Sequence, residues 1–196
     1  MSKPYMIAGL GNPGAKYSET RHNAGFWFLD RLAEMAGVSL RAQSKLTAEV
    51  VKAQVGGVEC ILMKPSTFMN HSGQAVRAVL DYYKLDAGRL LVAYDELDLP
   101  PGVARLKQGG GHGGHNGMRD IFRHSSERDF LRLRIGIGHP GHKDAVTPWV
   151  LSRPSALQER LIRDSIAEAI EVMPLVLAGD TPGAMKQLHT EKDNGI

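Results

Sequence analysis

The chain is 196 residues long, with 42% hydrophobic and 23% charged positions and a formal net charge of +3. Those values describe one globular domain able to bury its own core, and no apolar run is long enough to span a membrane. The lone cysteine, Cys60, excludes an internal disulfide and a cysteine-built zinc site and fits a reducing cytosol.

In chain order, Tyr5–Leu10 is the first strand-forming run, and turn residues in GLGNPG break it too early for a secretory signal. A helix is predicted over 22–36, where Ala24, Phe28, Leu29, Leu32 and Met35 share a face and Gly37 supplies the stop. Ala48–Val55 and Val58–Met63 flank Gly56-Gly57, a hairpin signal. Ala75, Val76, Val79, Leu80 and Tyr83 form a second helical stripe. Further strands are predicted at Leu90–Tyr94, Val103–Leu106 and Leu131–Ile137, with a short helix over Gly117–Phe122. The longest stripe runs from Leu157 to Leu177, opened by a Ser155/Gln158 capping box and expected to kink at Pro174. Residues 147–153 read as a further strand, and the polar tail after about 185 is expected to fray. Residues 1–196 therefore read as a single α/β domain with a mixed, mostly parallel sheet flanked by helices.

Charge is unevenly spread. Residues 101–145 carry eight basic against four acidic side chains and five of the eight histidines, whereas 156–196 carry four basic against seven acidic. A basic segment of this kind is the footprint of a polyanion partner.

The unusual residues gather where strands end. Gly9-Leu10-Gly11-Asn12-Pro13-Gly14 spells the dinucleotide fingerprint, but Pro13 lacks the N–H that pyrophosphate needs and a loop follows it. A tight turn presenting the Asn12 amide is the better reading. His22 opens a helix eleven residues after Gly11 of the glycine turn, close enough for the chain to fold back beside Asn12. Asp95 is the first charge after a strongly apolar strand, placed to orient a histidine. Phe68, Met69 and Asn70 sit in a strand-to-helix loop and suit either the core or a pocket wall. Residues 109–117 hold six glycines with His112 and His115. Their H-x-x-H spacing lacks the glutamate and the further ligand of a zinc helix, and a glycine loop beside Lys107 fits a phosphate or polar substrate better. No nucleophile elbow is present. A histidine, an aspartate and several Asn amides suit a hydrolase that activates water against a reactive bond such as an ester.

GLGNPG, Tyr17, TRHNAG, KPSTFMNHSG, YDELDLPPG, GGGHGGHNGMRDI and RLRIGIGHPG together closely resemble, in order, the bacterial-type peptidyl-tRNA hydrolases. The resemblance covers about residues 5–178 and weakens over Thr147–Arg153. It implies a cytoplasmic, metal-independent monomer without a cofactor, cleaving the ester between a peptide and the 3′ ribose of tRNA. It further implies that His22 is the base, Asp95 its partner, and Asn12 the residue that separates blocked from free aminoacyl ends. Tyr17, Phe68, Met69, Asn70 and Asn116 are then substrate contacts, and Lys107 and Arg134 contacts to acceptor-stem phosphates. The alternative is a non-catalytic RNA-binding module using the basic face of 101–145.

Overall fold

In the computed structural model, which describes residues 3–190, the chain forms strands β1 (Tyr5–Gly9), β2 (Arg41–Gln43), β3 (Ala48–Val55), β4 (Val58–Pro65), β5 (Leu90–Glu96), β6 (Ala104–Gln108) and β7 (Leu131–Gly136). The helices are α1 (Ala24–Met35), α2 (Ser72–Tyr83), α3 (Asn116–His124), α4 (Val146–Val150), α5 (Ala156–Leu177) and α6 (Thr181–His189). All seven strands join one sheet in the order β2-β3-β4-β1-β5-β7-β6. Pairing is parallel through the centre, β4-β1-β5-β7, and antiparallel at both flanks.

The most apolar runs lie in that parallel centre because they are buried on both faces. Alternation then divides them between two cores. Ile7, Leu62, Leu91 and Leu133 face α1, α5 and α6, meeting Phe28, Leu29, Ile166 and Met173. Met6, Ala8, Ile61 and Val92 face α2 and α3, meeting Val76, Val79, Met118 and Ile121. The β3–β4 hairpin closes through Gly56 and Gly57, whose φ values of 58° and 77° are those a two-residue turn matched to strand twist requires. The capping box at Ser155 and Gln158 is formed, and α5 continues through Pro174 to Leu177.

Three elements depart from the sequence reading. Residues 147–153 do not form a strand: α4 spans Val146–Val150, with Pro148 in a first turn where its missing N–H costs little. The expected fraying does not begin at 185, because α6 runs to His189, is capped by Asp180, and buries Ala184 and Leu188. The rest of that tail, 191–196, lies outside the described residues. Short β2 is wholly exposed at the sheet edge, so it carried no apolar signal. Met35 and Leu157, at the ends of their stripes, stay exposed.

Candidate active site

The carboxyl ends of β1, β4 and β5 open on the same side, and the following helices part there: α1 packs on one face and α2 on the other. A parallel sheet places its ligand crevice at such a point. A cavity of about 260 Å³ lies there, lined by Asn12, His22, Met69, Asn70, Asp95, His115 and Asn116 on its polar side. Leu97, Val146, Val150 and Leu151 complete the wall.

The glycine turn after β1 serves packing. A Cβ on Gly9 would lie 2.3 Å from the Gly25 carbonyl oxygen, so α1 approaches the sheet only because both residues lack side chains. The close approach sets Asn23 against Asn12. Asn12 N–H donates to Asn23 Oδ1 and Asn23 Nδ2 donates back to the Asn12 carbonyl, both at 2.9 Å. Asn12 Oδ1 in turn accepts from Met69 N–H at 2.7 Å. That bond fixes the amide orientation, leaving Nδ2 as the donor offered to the cavity.

His22 and Asp95 meet as expected. His22 Nδ1 lies 2.8 Å from Asp95 Oδ2, and both residues are buried. His115 Nε2 lies 2.8 Å from the other oxygen, Asp95 Oδ1, so one carboxylate joins two imidazoles. Burial would raise the Asp95 pKa, but the two histidines and their hydrogen bonds outweigh it and hold the carboxyl well below the usual range. Burial lowers the His22 pKa, yet the charge and hydrogen bond of Asp95 prevail and leave it above its ordinary value. With Asp95 charged, His22 Nδ1 carries the proton and Nε2 keeps a lone pair. His115 has no such freedom: its Nε2 donates to Asp95 and its Nδ1 accepts from Met118 N–H at 3.3 Å. Of the two rings, only His22 has a nitrogen free to take a proton.

Among the described residues, His22, Asp95 and His115 are also the one cluster whose ligand atoms lie close enough to hold a metal, within 4.8 Å of one another. His112 is not in it; its Nδ1 accepts from Gly114 N–H. A metal at this cluster would have to displace both imidazole–carboxylate hydrogen bonds.

The outer residues divide. Met69 is buried, and Asn70 and Asn116 stand exposed on the rim, Asn116 Oδ1 accepting from Arg119. Phe68 is exposed and packs edge-to-face with Tyr17, ring centroids 6.1 Å apart, beyond the cavity lining. Lys107 is exposed on β6. Arg134, on the same face of neighbouring β7, is half-buried and its Nε donates to Glu96 Oε1 at 2.8 Å.

A family model described as peptidyl-tRNA hydrolase matches residues 6–195. The chain belongs to the peptidyl-tRNA hydrolase family. A curated peptidyl-tRNA hydrolase of Acidithiobacillus ferrooxidans is 54% identical over 187 residues, 95% of this chain and 99% of its own. One of Stenotrophomonas maltophilia is 54% identical, covering 95% of this chain and 97% of its own. The crystal structure of peptidyl-tRNA hydrolase from Acinetobacter baumannii superposes with a TM-score of 0.93 at 44% identity, covering 98% of this chain and 97% of that one.

Three polar residues at or beside the site escaped the sequence reading. His115 was read as part of a glycine loop, and its bond to Asp95 was not foreseen. Arg132 looked like a surface charge, but it is fully buried against Phe122 and Phe130. It donates to the Gly110 and Gly111 carbonyls and so holds the glycine loop that leads to His115. Asp120 is buried and accepts from Gly73 N–H at 2.8 Å, bracing α2 against α3. The signal that could have found Arg132 is faint: two phenylalanines placed to enclose it.

Proposed function

We propose that this chain hydrolyses the ester joining an N-blocked peptide to the 3′ ribose of tRNA, with His22 as general base and Asp95 as its partner. The observation that carries the reading is the buried His22–Asp95 pair whose free Nε2 borders the cavity. His22 Nε2 takes a proton from water as the oxygen attacks the ester carbonyl. Asp95 holds the ring in the productive tautomer and stabilises the imidazolium. Asn12 Nδ2 donates to the developing oxyanion, a role typically worth about 3 kcal/mol of barrier. Collapse breaks the bond to the 3′ oxygen, which takes the proton from His22, releasing tRNA and a peptide carboxylate. A buried, oriented base of this kind has no use in a passive RNA-binding module. The deciding experiment is incubation with N-acetyl-aminoacyl-tRNA in the presence of EDTA. Release of N-acetyl-amino acid is expected, and no release, or release abolished by EDTA, rejects metal-free hydrolysis.

Recognition of the blocked end falls to Asn12, Asn70 and Asn116, with Met69, Tyr17 and Phe68 as apolar contacts to the peptide and 3′ end. Their amides suit an N-blocked end and offer no carboxylate to a free ammonium, which is left under-solvated at a cost of about 1–3 kcal/mol. Asn12→Asp keeps an oxygen for Met69 N–H but replaces the donor with a negative oxygen. It should lower kcat/KM on N-acetyl-aminoacyl-tRNA and narrow its preference over the free form. Equal falls on both substrates would move discrimination to Asn70 or Asn116.

Lys107 and Arg134 are proposed to contact acceptor-stem phosphates. A phosphate contact contributes about 0.9 to the logarithmic salt slope on duplex nucleic acid. Lys107→Ala should flatten the slope by about that much, and Arg134→Ala by less, because Glu96 already neutralises part of the guanidinium. Equal slopes for parent and Lys107→Ala would place the stem elsewhere. The chain is further proposed to act as a monomer, residues 1–196 forming one domain, in the cytoplasm; no described helix is long and apolar enough to cross a membrane.

A further inference from the structure

We propose that Arg21 is a positioning residue that fastens the α4 wall of the cavity to the turn carrying His22; this rests on the ester-hydrolase reading above. Arg21 is 4% exposed, although it adjoins a surface loop. Its guanidinium lies over the Trp149 ring, with the central carbon 3.4 Å from the ring centroid. Nη1 donates to the Trp149 carbonyl at 3.2 Å and to Ser152 Oγ at 2.5 Å, and Nη2 donates to Gln158 Oε1 at 2.8 Å. Its backbone N–H donates to the Ser152 carbonyl at 3.1 Å. One side chain thus binds the end of α4, the turn after it and the capping-box glutamine in the first turn of α5.

That fastening is needed because α4 cannot hold itself. It is a five-residue helix with proline inside, and only Val150 is buried. An isolated helix of that length does not form in water. Its position comes from Trp149, whose Nε1 donates to the Gly138 carbonyl at 2.9 Å, and from Arg21. Its Val146, Thr147 and Val150, with Leu151, line the same cavity as Asn70 and Asn116. Arg21 and His22 share one turn of 3-10 helix, Arg21–Asn23, so the base and this wall are set by the same segment. The pair His22–Asp95 and the Asn12–Asn23 bonds do not involve Arg21. Loosening α4 therefore weakens capture of substrate while leaving the chemical groups in place. A lysine cannot substitute, because its point charge lacks the planar fork that reaches three acceptors while lying over the indole.

The test compares kcat and KM on N-acetyl-aminoacyl-tRNA for the parent, Arg21→Lys, Arg21→Met, Trp149→Leu and the Arg21→Met/Trp149→Leu double variant. The expected result is KM raised about 5- to 20-fold with kcat within about 3-fold. The double variant should be no worse than the poorer single one, as for two residues acting as a unit. In a Trp27→Phe background Trp149 is the only tryptophan, and Arg21→Lys should make its emission more open to quenching by acrylamide. An unchanged KM with kcat falling in step with the folded fraction, measured by melting, overturns the proposal in favour of a purely fold-holding role. So does an unchanged Trp149 quenching in Arg21→Lys, which remains informative if Arg21→Met does not fold. No hydrolysis by the parent overturns the activity reading and this inference with it; an active parent with unaltered KM in the variants overturns this inference alone.

Discussion

Replacing His22 by alanine is expected to lower kcat on peptidyl-tRNA by at least about 100-fold, the usual scale for loss of a general base. The neighbouring imidazole offers no rescue. His115 lies 5.0 Å from His22 by ring centroids, but both its nitrogens are engaged, one on Asp95 and one on Met118 N–H. To serve as a base it would have to give up one of these bonds and turn toward the cavity. Affinity for tRNA should change little, since the proposed phosphate contacts at Lys107 and Arg134 lie on the β6–β7 face. Turnover under saturating substrate and competition binding of deacylated tRNA separate the two quantities. Turnover within a few-fold of the parent rejects His22 as the base, and a parallel loss of binding makes it a substrate contact.

The central strands were legible because burial on both faces demands unbroken apolar runs, as in β1, Cys60–Met63 of β4 and Leu90–Tyr94 of β5. The hairpin and α5 were legible through local chemistry alone: Gly56-Gly57 for positive φ, and Ser155 with Gln158 for a cap. His22 was legible because the glycine turn lets the chain fold back beside Asn12, and Asp95 because it is the first charge after a strongly apolar strand. What escaped depends on contacts between distant parts of the chain. In β7, alternation places Arg132 and Arg134 on one face, which reads as solvent-exposed. Phe122 from α3 and Phe130 just before β7 cover Arg132, while Arg134 is left half-buried beside Glu96. Apart from Phe130, two residues before Arg132, nothing local distinguishes the two arginines. Likewise α4 has no amphipathic period of its own, and its place depends on Arg21, 128 residues away from Trp149. The place of His115 escaped for the same reason: the sequence sets it in a glycine loop after His112, and only the folded chain brings its ring to Asp95.

Asp95→Asn tests the junction of these parts. Asp95 accepts a proton-bearing ring nitrogen on each oxygen, from His22 on Oδ2 and from His115 on Oδ1. Asparagine has one acceptor oxygen and one donor NH2, so it cannot satisfy both rings as they stand. One imidazole must change tautomer. If His22 changes, its proton moves to Nε2 and the base is blocked. If His115 changes, it must break from Met118 N–H. The variant is expected to fold, because the amide matches the carboxylate in shape, yet to lose about 100-fold or more in kcat/KM, as when the orienting acid of a catalytic histidine is replaced. The pH profile should move as well. Burial lowers the His22 pKa and only the Asp95 carboxylate brings it above 6.5. The base works when neutral, so the parent's rate should rise with pH along a limb centred above 6.5. Without the carboxylate burial remains unopposed, and the limb should shift to below that value. Measuring kcat/KM from about pH 5 to 9 reads both effects. A plateau within a few-fold of the parent, on a limb that has not moved, would show that Asp95 neither orients His22 nor sets its charge, and would reduce it to a cap at the end of β5.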